Sequence, residues 1–218
     1  MSILQALTAK PWTARQSRID DRYAGRAAPA STRRLALQVF LAVVAVLFIL
    51  LVVAYAGRMA YEDWRPAPQL RLLWANTAVL LLSSIFMQWA FHSARRDRRD
   101  AMRTGVLAAG AFTLVFLFGQ VLAWRQLAAM VQFDFRNPAI GFFYLITGLH
   151  GLHLLGGLAA WSRTAVMAWS DIDPAKTAQS IGLCALYWHF LLAIWLVLFG
   201  LLFSGHNFEL LLEICGIR

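Results

Sequence analysis

Five uninterrupted apolar segments dominate the pattern of hydrophobic and polar positions along the chain. They lie at about 35–56, 70–91, 105–124, 138–161 and 181–203. A helix needs about 20 mostly apolar residues to cross the roughly 30 Å hydrocarbon core of a bilayer, and each segment meets that requirement. None of them alternates with the period of two that marks the strands of a membrane β-barrel. The sequence therefore predicts an all-α polytopic membrane protein with five transmembrane helices.

Polar segments at the two ends of the chain complete the predicted organisation. Residues 1–34 are rich in arginine, contain proline and glycine, and show no apolar period that would form a domain. We expect a basic N-terminal arm at 1–34, a five-helix transmembrane domain at 35–203 and a short C-terminal tail at 204–218. The arm would lie on the cytoplasmic side, where basic residues meet anionic headgroups.

The distribution of lysine and arginine predicts the orientation in the membrane. The N-terminal arm and the loops at 92–104 and 162–180 hold fourteen of the 20 basic residues, and the opposite side holds six. Basic residues concentrate on the cytoplasmic side of a membrane protein. We therefore expect a cytoplasmic N-terminus and a periplasmic C-terminus. The net charge of +9 lies in segments that flank the spans, so it does not indicate nucleic-acid binding.

The composition narrows the classes of function. The chain is 60% hydrophobic and only 14% charged, which is typical of a membrane protein. Its two cysteines, Cys184 and Cys215, are too few for a disulfide framework or a thiolate metal site. The five predicted spans contain no acidic residue, which argues against an ion pump or transporter.

Three histidines lie inside the predicted spans and are candidate functional residues. His150 and His153 are three residues apart on the fourth span, and His189 follows Tyr187 and Trp188 on the fifth. Because the two spans are consecutive, we expect His153 and His189 to face one another at similar depth. These side chains could form hydrogen bonds between helices, contact lipid or water, or ligate haem or a metal. Too few other ligands accompany them, so we predict no metal site.

Small and neutral polar residues mark two further features. Glycines at 148, 151, 156 and 157 on the fourth span would let another backbone come close, either in a partner subunit or within this chain. They are Gly148, Gly151, Gly156 and Gly157. Gln120 on the third span and a polar stripe on the second span each need a buried partner, which favours a role in packing. The stripe consists of Asn76, Thr77, Ser83, Ser84 and Gln88.

These motifs, in this order, resemble subunit III of the haem–copper respiratory oxidases, a family that includes cytochrome c and quinol oxidases. The most specific stretch is Gly141-Phe-Phe-Tyr-Leu-Ile-Thr-Gly-Leu-His-Gly-Leu-His-Leu-Leu-Gly-Gly157. It is followed by Tyr187-Trp-His-Phe190 and Trp195, and preceded by Gln120 and the stripe on the second span. The resemblance covers about residues 35–203. With five spans, the chain is similar to the shorter, five-helix bacterial form of the subunit.

The resemblance implies a non-catalytic subunit of a complex that reduces oxygen to water in aerobic electron transport and pumps protons. Such a subunit has no cofactor of its own, and haem and copper belong to subunits I and II. It would lie in the bacterial inner membrane, with helices arranged in a V around phospholipid, stabilising subunit I and supporting proton uptake. We predict no catalytic residue; the candidate lipid-contacting or packing residues are His150, His153, His189, Gln120, Tyr187 and Trp188.

The chain also departs from the family pattern. Acidic residues that the family commonly has in the first span, shortly after Gln120 and after the Tyr187–Phe190 motif are absent here. Two alternative functions remain open from the sequence: a subunit III-like accessory protein of a nitric oxide reductase system, and a membrane carrier of electrons that binds haem through its histidines.

Overall fold

The computed structural model describes residues 30–61, 63–65, 68, 70–131, 137–170 and 173–203. These residues form five long helices and contain no strand. The predicted all-α fold with five membrane-spanning helices is confirmed, because all five are long and apolar enough to cross a bilayer. The tail at 204–218 and residues 1–29 of the basic arm lie outside this description. The helices are α1 (Ala30–Arg58), α2 (Leu72–Arg95), α3 (Arg99–Val131), α4 (Pro138–Trp169) and α5 (Pro174–Phe203).

The helices extend beyond the apolar segments that predicted them. α3, for example, is 33 residues long and begins at Arg99 rather than near 105. At 1.5 Å per residue, a helix of that length measures about 50 Å, which exceeds the roughly 30 Å hydrocarbon core. Both ends therefore reach the headgroup region, where their polar residues meet water.

Side chains that precede α4 and α5 set the starts of these helices. Asn137 accepts a hydrogen bond from the Ala139 backbone N–H at 3.1 Å, and Pro138 occupies the first helical position. Asp173 likewise accepts from the Ala175 N–H at 2.9 Å. Such caps partner backbone donors that the first turn of a helix leaves free. The Asn137 amide also donates to the Arg65 carbonyl at 2.8 Å, which ties the α1–α2 connection to the start of α4.

The last residue of α1 forms an exposed ion pair with a residue of the following connection. The Arg58 guanidinium donates a hydrogen bond to the Asp63 carboxylate. This bond holds the pKa of the Asp63 carboxyl below its usual value.

Between α2 and α3 the chain reverses through Asp97, whose backbone has a positive φ of 54°. Aspartate tolerates this conformation better than most residues, so a short turn joins the two helices.

Within residues 37–203, helices α2, α3, α4 and α5 form a closed ring. α2 packs against α3 and α5, and α4 also packs against α3 and α5. Side chains from all four helices fill the interior at 1% exposure or less. Examples are Leu80, Met87, Phe116, Leu154 and Trp195.

α1 joins the other helices through long side chains alone. No Cα atom in its described part from Leu37 onward lies within 8 Å of a Cα atom of another helix. Val44, Phe48 and Tyr55 are buried against Ile146 of α4 and Leu198 of α5. The first two spans of the sequence are therefore not neighbours, because α1 packs on the last two helices.

Candidate functional site

Indole groups of α5 are the hydrogen-bond partners of the polar stripe on α2. Trp195 Nε1 donates to Thr77 Oγ1 at 3.0 Å. Two turns away on α5, Trp188 Nε1 donates to Ser83 Oγ at 3.0 Å and to Thr113 Oγ1 of α3 at 3.1 Å. All five residues are buried. These hydrogen bonds join three helices of the ring. They also satisfy polar groups for which lipid offers no hydrogen-bond partner.

A second polar chain reaches the surface of the ring. The His189 ring Nε2 donates to Gln88 Oε1 at 2.8 Å, and its Nδ1 lies 2.5 Å from Ser84 Oγ, which donates in this tautomer. The Gln88 amide in turn lies 2.9 Å from His92 Nε2. His189 is exposed although it lies near the middle of α5. These hydrogen-bonded side chains therefore present polar groups on the outer face of α2 and α5, near the middle of the spans.

His153 lies on a different face from His189. Its Nδ1 donates to the Leu149 carbonyl at 2.8 Å, and its ring contacts Phe48 of α1 with centroids 5.5 Å apart. The Tyr187 hydroxyl donates to the His153 carbonyl at 2.8 Å, which joins α5 to α4. The expected face-to-face arrangement of the two imidazoles is therefore wrong: His153 points toward α1, and His189 toward α2.

Two candidate residues lie fully inside the ring without a hydrogen-bond partner. Gln120 is 2% exposed and His150 is 0% exposed. Among the described residues, no group bonds either amide atom of Gln120, either ring nitrogen of His150, or the Asn76 amide nitrogen. The His150 ring packs instead on Trp195 and Phe116, at centroid distances of 5.1 and 6.0 Å.

The neighbouring glycines of α4 have opposite environments. Gly157 is buried beneath Tyr187, and a Cβ built on it would lie 2.7 Å from Tyr187 Cε1. Only glycine lets α4 and α5 approach this closely at that point. Gly156 is exposed, and a Cβ there would meet nothing within 4 Å.

The other two glycines of the motif face α3. A Cβ on Gly148 would lie 3.7 Å from Trp124, and one on Gly151 would lie 3.8 Å from Leu117. Three of the four glycines thus contact helices of the same chain. A docking role toward a partner subunit stays a prediction for this motif, and only Gly156 has the exposure that such a role requires.

Two apolar grooves run beside α1. The first, which we call the Gly156 groove, has a volume of about 320 Å³. It is lined by Leu37, Phe40, Gly156, Gly157, Ala160, Leu183, Cys184, Tyr187 and Trp188. The second, which we call the Val53 groove, has a volume of about 280 Å³. It is lined by Ala45, Phe48, Ile49, Val52, Val53, Phe190, Ala193, Ile194, Val197 and Leu198.

The histidines, cysteines and acidic residues of the described segments do not assemble a metal-ligand set. No three of them are placed to hold one ion. Cys184 is buried, and its sulfur lies 3.3 Å from the Thr164 hydroxyl. Cys215 lies outside the described residues. This arrangement pairs neutral polar groups between helices and leaves apolar grooves beside α1.

Comparisons with known proteins find one family among the relatives. A family model described as "Cytochrome c oxidase subunit III" matches residues 2–205. The chain is 33% identical over 153 residues to the "Probable cytochrome c oxidase subunit 3" of Mycobacterium tuberculosis, covering 68% of this chain and 74% of that one. It is 30% identical over 179 residues to the "Cytochrome c oxidase subunit 3" of Thermostichus vulcanus, covering 78% and 86%. The corresponding protein of Synechocystis is 28% identical over 173 residues, covering 75% and 72%.

Proposed function

This chain belongs to the cytochrome c oxidase subunit III family, and from that premise we propose that it stabilises the catalytic subunit I of its complex and supports proton uptake. It is a multi-pass membrane protein that serves as subunit III of a haem–copper oxidase. The observation that carries the proposal is the family match over residues 2–205. The names of the relatives favour the oxidase over a nitric oxide reductase system or a haem-binding carrier.

The redox chemistry of the complex belongs to other chains in this proposal. Members of this family have no redox centre of their own. We therefore assign haem and copper to subunits I and II, and we assign no catalytic residue to this chain. Its place would be the inner membrane of a bacterium, since bacterial proteins are among its relatives.

Removal of the subunit from the oxidase tests the stabilising role. A complex purified from a strain that lacks this chain should reduce oxygen at close to the normal initial rate. Because subunit I would lose its support, activity should then decay faster during continuous turnover than in the complete complex. Complementation with the intact gene is the control. Immediate loss of activity together with haem would contradict the proposal.

The outer face of α2 and α5 is our candidate for contact with subunit I. His189 and Gln88 present hydrogen-bonding groups there at a depth where lipid offers no partners. A polar side chain inside the bilayer typically faces protein or a water-filled cavity. A partner subunit with polar groups at the same depth would satisfy both conditions.

Photocrosslinking distinguishes this face from others. A photoreactive residue at Ile85, which is 60% exposed and lies on the α2 turn before Gln88, should capture subunit I in intact membranes. The control is Leu152 of α4, which is 62% exposed and lies away from the His189 network. Crosslinks from Leu152 but not from Ile85 would place the interface elsewhere.

Phospholipid acyl chains are our candidates for the two grooves beside α1. Both grooves are lined almost wholly by apolar side chains and are open rather than enclosed. Acyl chains would fill space that the α1 side chains leave between helices, where water would find few partners. This interpretation places Tyr187 and Trp188 beside lipid in the Gly156 groove.

A pair of glycine substitutions on α4 tests the lipid proposal. Gly156→Leu adds an isobutyl group at the Gly156 groove, where nothing lies within 4 Å of the new Cβ. Gly141→Leu is the matched control, because Gly141 is also exposed on α4 with open space around it and does not line the groove. The amount of lipid that the purified complex retains should be lower for Gly156→Leu and unchanged for Gly141→Leu. Equal lipid content in both variants and the parent would contradict occupation of this groove.

A further inference from the structure

Gln120 and His150 present four polar atoms to the interior of the helix ring with no partner among the described residues. Their side chains are 2% and 0% exposed, so bulk solvent does not reach them. Buried polar groups are nearly always hydrogen-bonded, to protein or to ordered water. In a membrane protein an unpaired polar group costs more free energy, because the surrounding lipid supplies no alternative partner.

Helix geometry places these two side chains at the same level. Phe116, Gln120 and Trp124 occupy successive turns on one face of α3. The Phe116 ring contacts the His150 ring with centroids 6.0 Å apart, and Trp124 Nε1 donates to Thr147 Oγ1 at 3.0 Å. Gln120 therefore lies opposite the turn of α4 that runs from Thr147 to His150.

The backbone next to His150 lies in contact with α3. Gly151 is buried, and a Cβ built on it would meet Leu117 Cδ2 at the ordinary contact distance of 3.8 Å. Buried water molecules in proteins bind at buried polar groups that have no protein partner, which is the condition of Gln120 and His150.

We propose that a buried water molecule binds between Gln120 and His150 and bridges α3 and α4. A neutral imidazole offers one donor and one acceptor, and a carboxamide offers both kinds of group. Water can donate two hydrogen bonds and accept two, so one molecule matches both side chains. No three histidine, cysteine or acidic side chains of the described segments are grouped to hold a metal ion. The inference rests on this chain alone and not on its role in the oxidase.

A high-resolution structure of the intact oxidase tests the proposal directly. We expect density for an ordered water molecule at about 3 Å from an amide atom of Gln120 and from a ring nitrogen of His150. A direct hydrogen bond between the two side chains, with no density between them, would overturn it.

A double-mutant cycle in the assembled complex provides a second test. Gln120→Leu and His150→Phe should each lower the thermal midpoint for unfolding of this subunit by about 2–4 °C, since each leaves the water and the remaining side chain partly unpaired. The midpoint of the double variant should fall by less than the sum of the two single shifts. Gln126→Leu, an exposed glutamine on α3, is the matched control and should have no effect.

The same cycle can refute the proposal. If the pair lay in a dry core without partners, apolar replacement would remove a penalty, and each single variant would raise the midpoint. Strictly additive losses would also contradict a shared water molecule. If a variant fails to assemble, the structure of the unmodified complex decides the question alone.

Discussion

At the level of single residues, indoles of α5 provide much of the polar pairing inside the ring. Trp188 and Trp195 each combine a large apolar ring with one N–H that reaches a hydroxyl on α2. A tryptophan buried in this way adds packing area and satisfies a polar group at the same time. Thr77, Ser83, Ser84 and Gln88 of the polar stripe on α2 therefore have partners within the chain.

Trp188→Phe should destabilise the subunit by about 1 kcal/mol, because it removes the N–H donor to Ser83 and Thr113 and leaves most of the ring area in place. The measurement is the unfolding midpoint of the purified complex. Trp89→Phe, at a site that is 43% exposed, is the control and should change the midpoint little. An equal effect of both substitutions would indicate that the N–H bonds of Trp188 do not matter.

The paired glycines of α4 predict opposite effects of one substitution. Gly157→Ala should destabilise by about 1–3 kcal/mol, because the new Cβ would lie 2.7 Å from Tyr187 Cε1 and force α5 outward. Gly156→Ala should stabilise slightly, by up to about 1 kcal/mol, since alanine is the better helix former and space is open. Thermal unfolding of the two variants side by side checks the signs. Two changes of the same sign would contradict this account.

At the level of helices, α1 differs from the other four because side chains alone hold it in place. Leu41, Val44, Phe48 and Tyr55 are its buried residues, spaced by three, four and seven positions. This spacing repeats on one face of a helix. The remaining faces are equally apolar and highly exposed, so the helix keeps its position through few contacts.

Phe48→Ala should loosen α1 from α4 and α5, because the Phe48 ring contacts both His150 and His153. A cysteine introduced at the buried Val44 should then react faster with a lipid-soluble maleimide. Leu50→Ala, at a position that is 64% exposed on the same helix, is the control and should leave the rate unchanged. Unchanged labelling in the Phe48 variant would show that other contacts suffice.

The sequence predicted the helices well and their neighbours less well. Length and apolar content determine whether a segment spans a bilayer, and those properties are local. Which side of a helix faces which neighbour depends on packing against distant segments. Each span carries apolar residues on all of its faces. The sequence therefore could not show that His153 points toward α1 and His189 toward α2.

The candidate site was predictable to a similar extent. The residue types in the histidine and glycine motifs indicated polar pairing and close helix approach, and contacts such as Tyr187 against Gly157 have that character. The grooves beside α1 had no signal in the sequence, since they arise from the space between a loosely packed helix and its neighbours. The unpartnered state of Gln120 and His150 was likewise a property of the assembled ring.

At the level of the whole molecule, the basic loops predict the orientation of the ring in the membrane. Arg96 lies in the short turn between α2 and α3, and Tyr61 lies in the connection on the opposite side. A cysteine at Tyr61 should react with a membrane-impermeant reagent added to intact spheroplasts, and one at Arg96 only after permeabilisation. The reverse pattern would place the N-terminus outside the cytoplasm.

The attachment of α1 has a consequence for biosynthesis. The ribosome delivers α1 to the translocon first, yet the residues that receive its side chains, Ile146 and Leu198, leave the exit tunnel much later. The newly inserted α1 must therefore wait in the bilayer by itself until the last two helices arrive. α2 and α3, by contrast, can associate as a hairpin as soon as both are inserted, so the order of folding in this subunit differs from the order of translation.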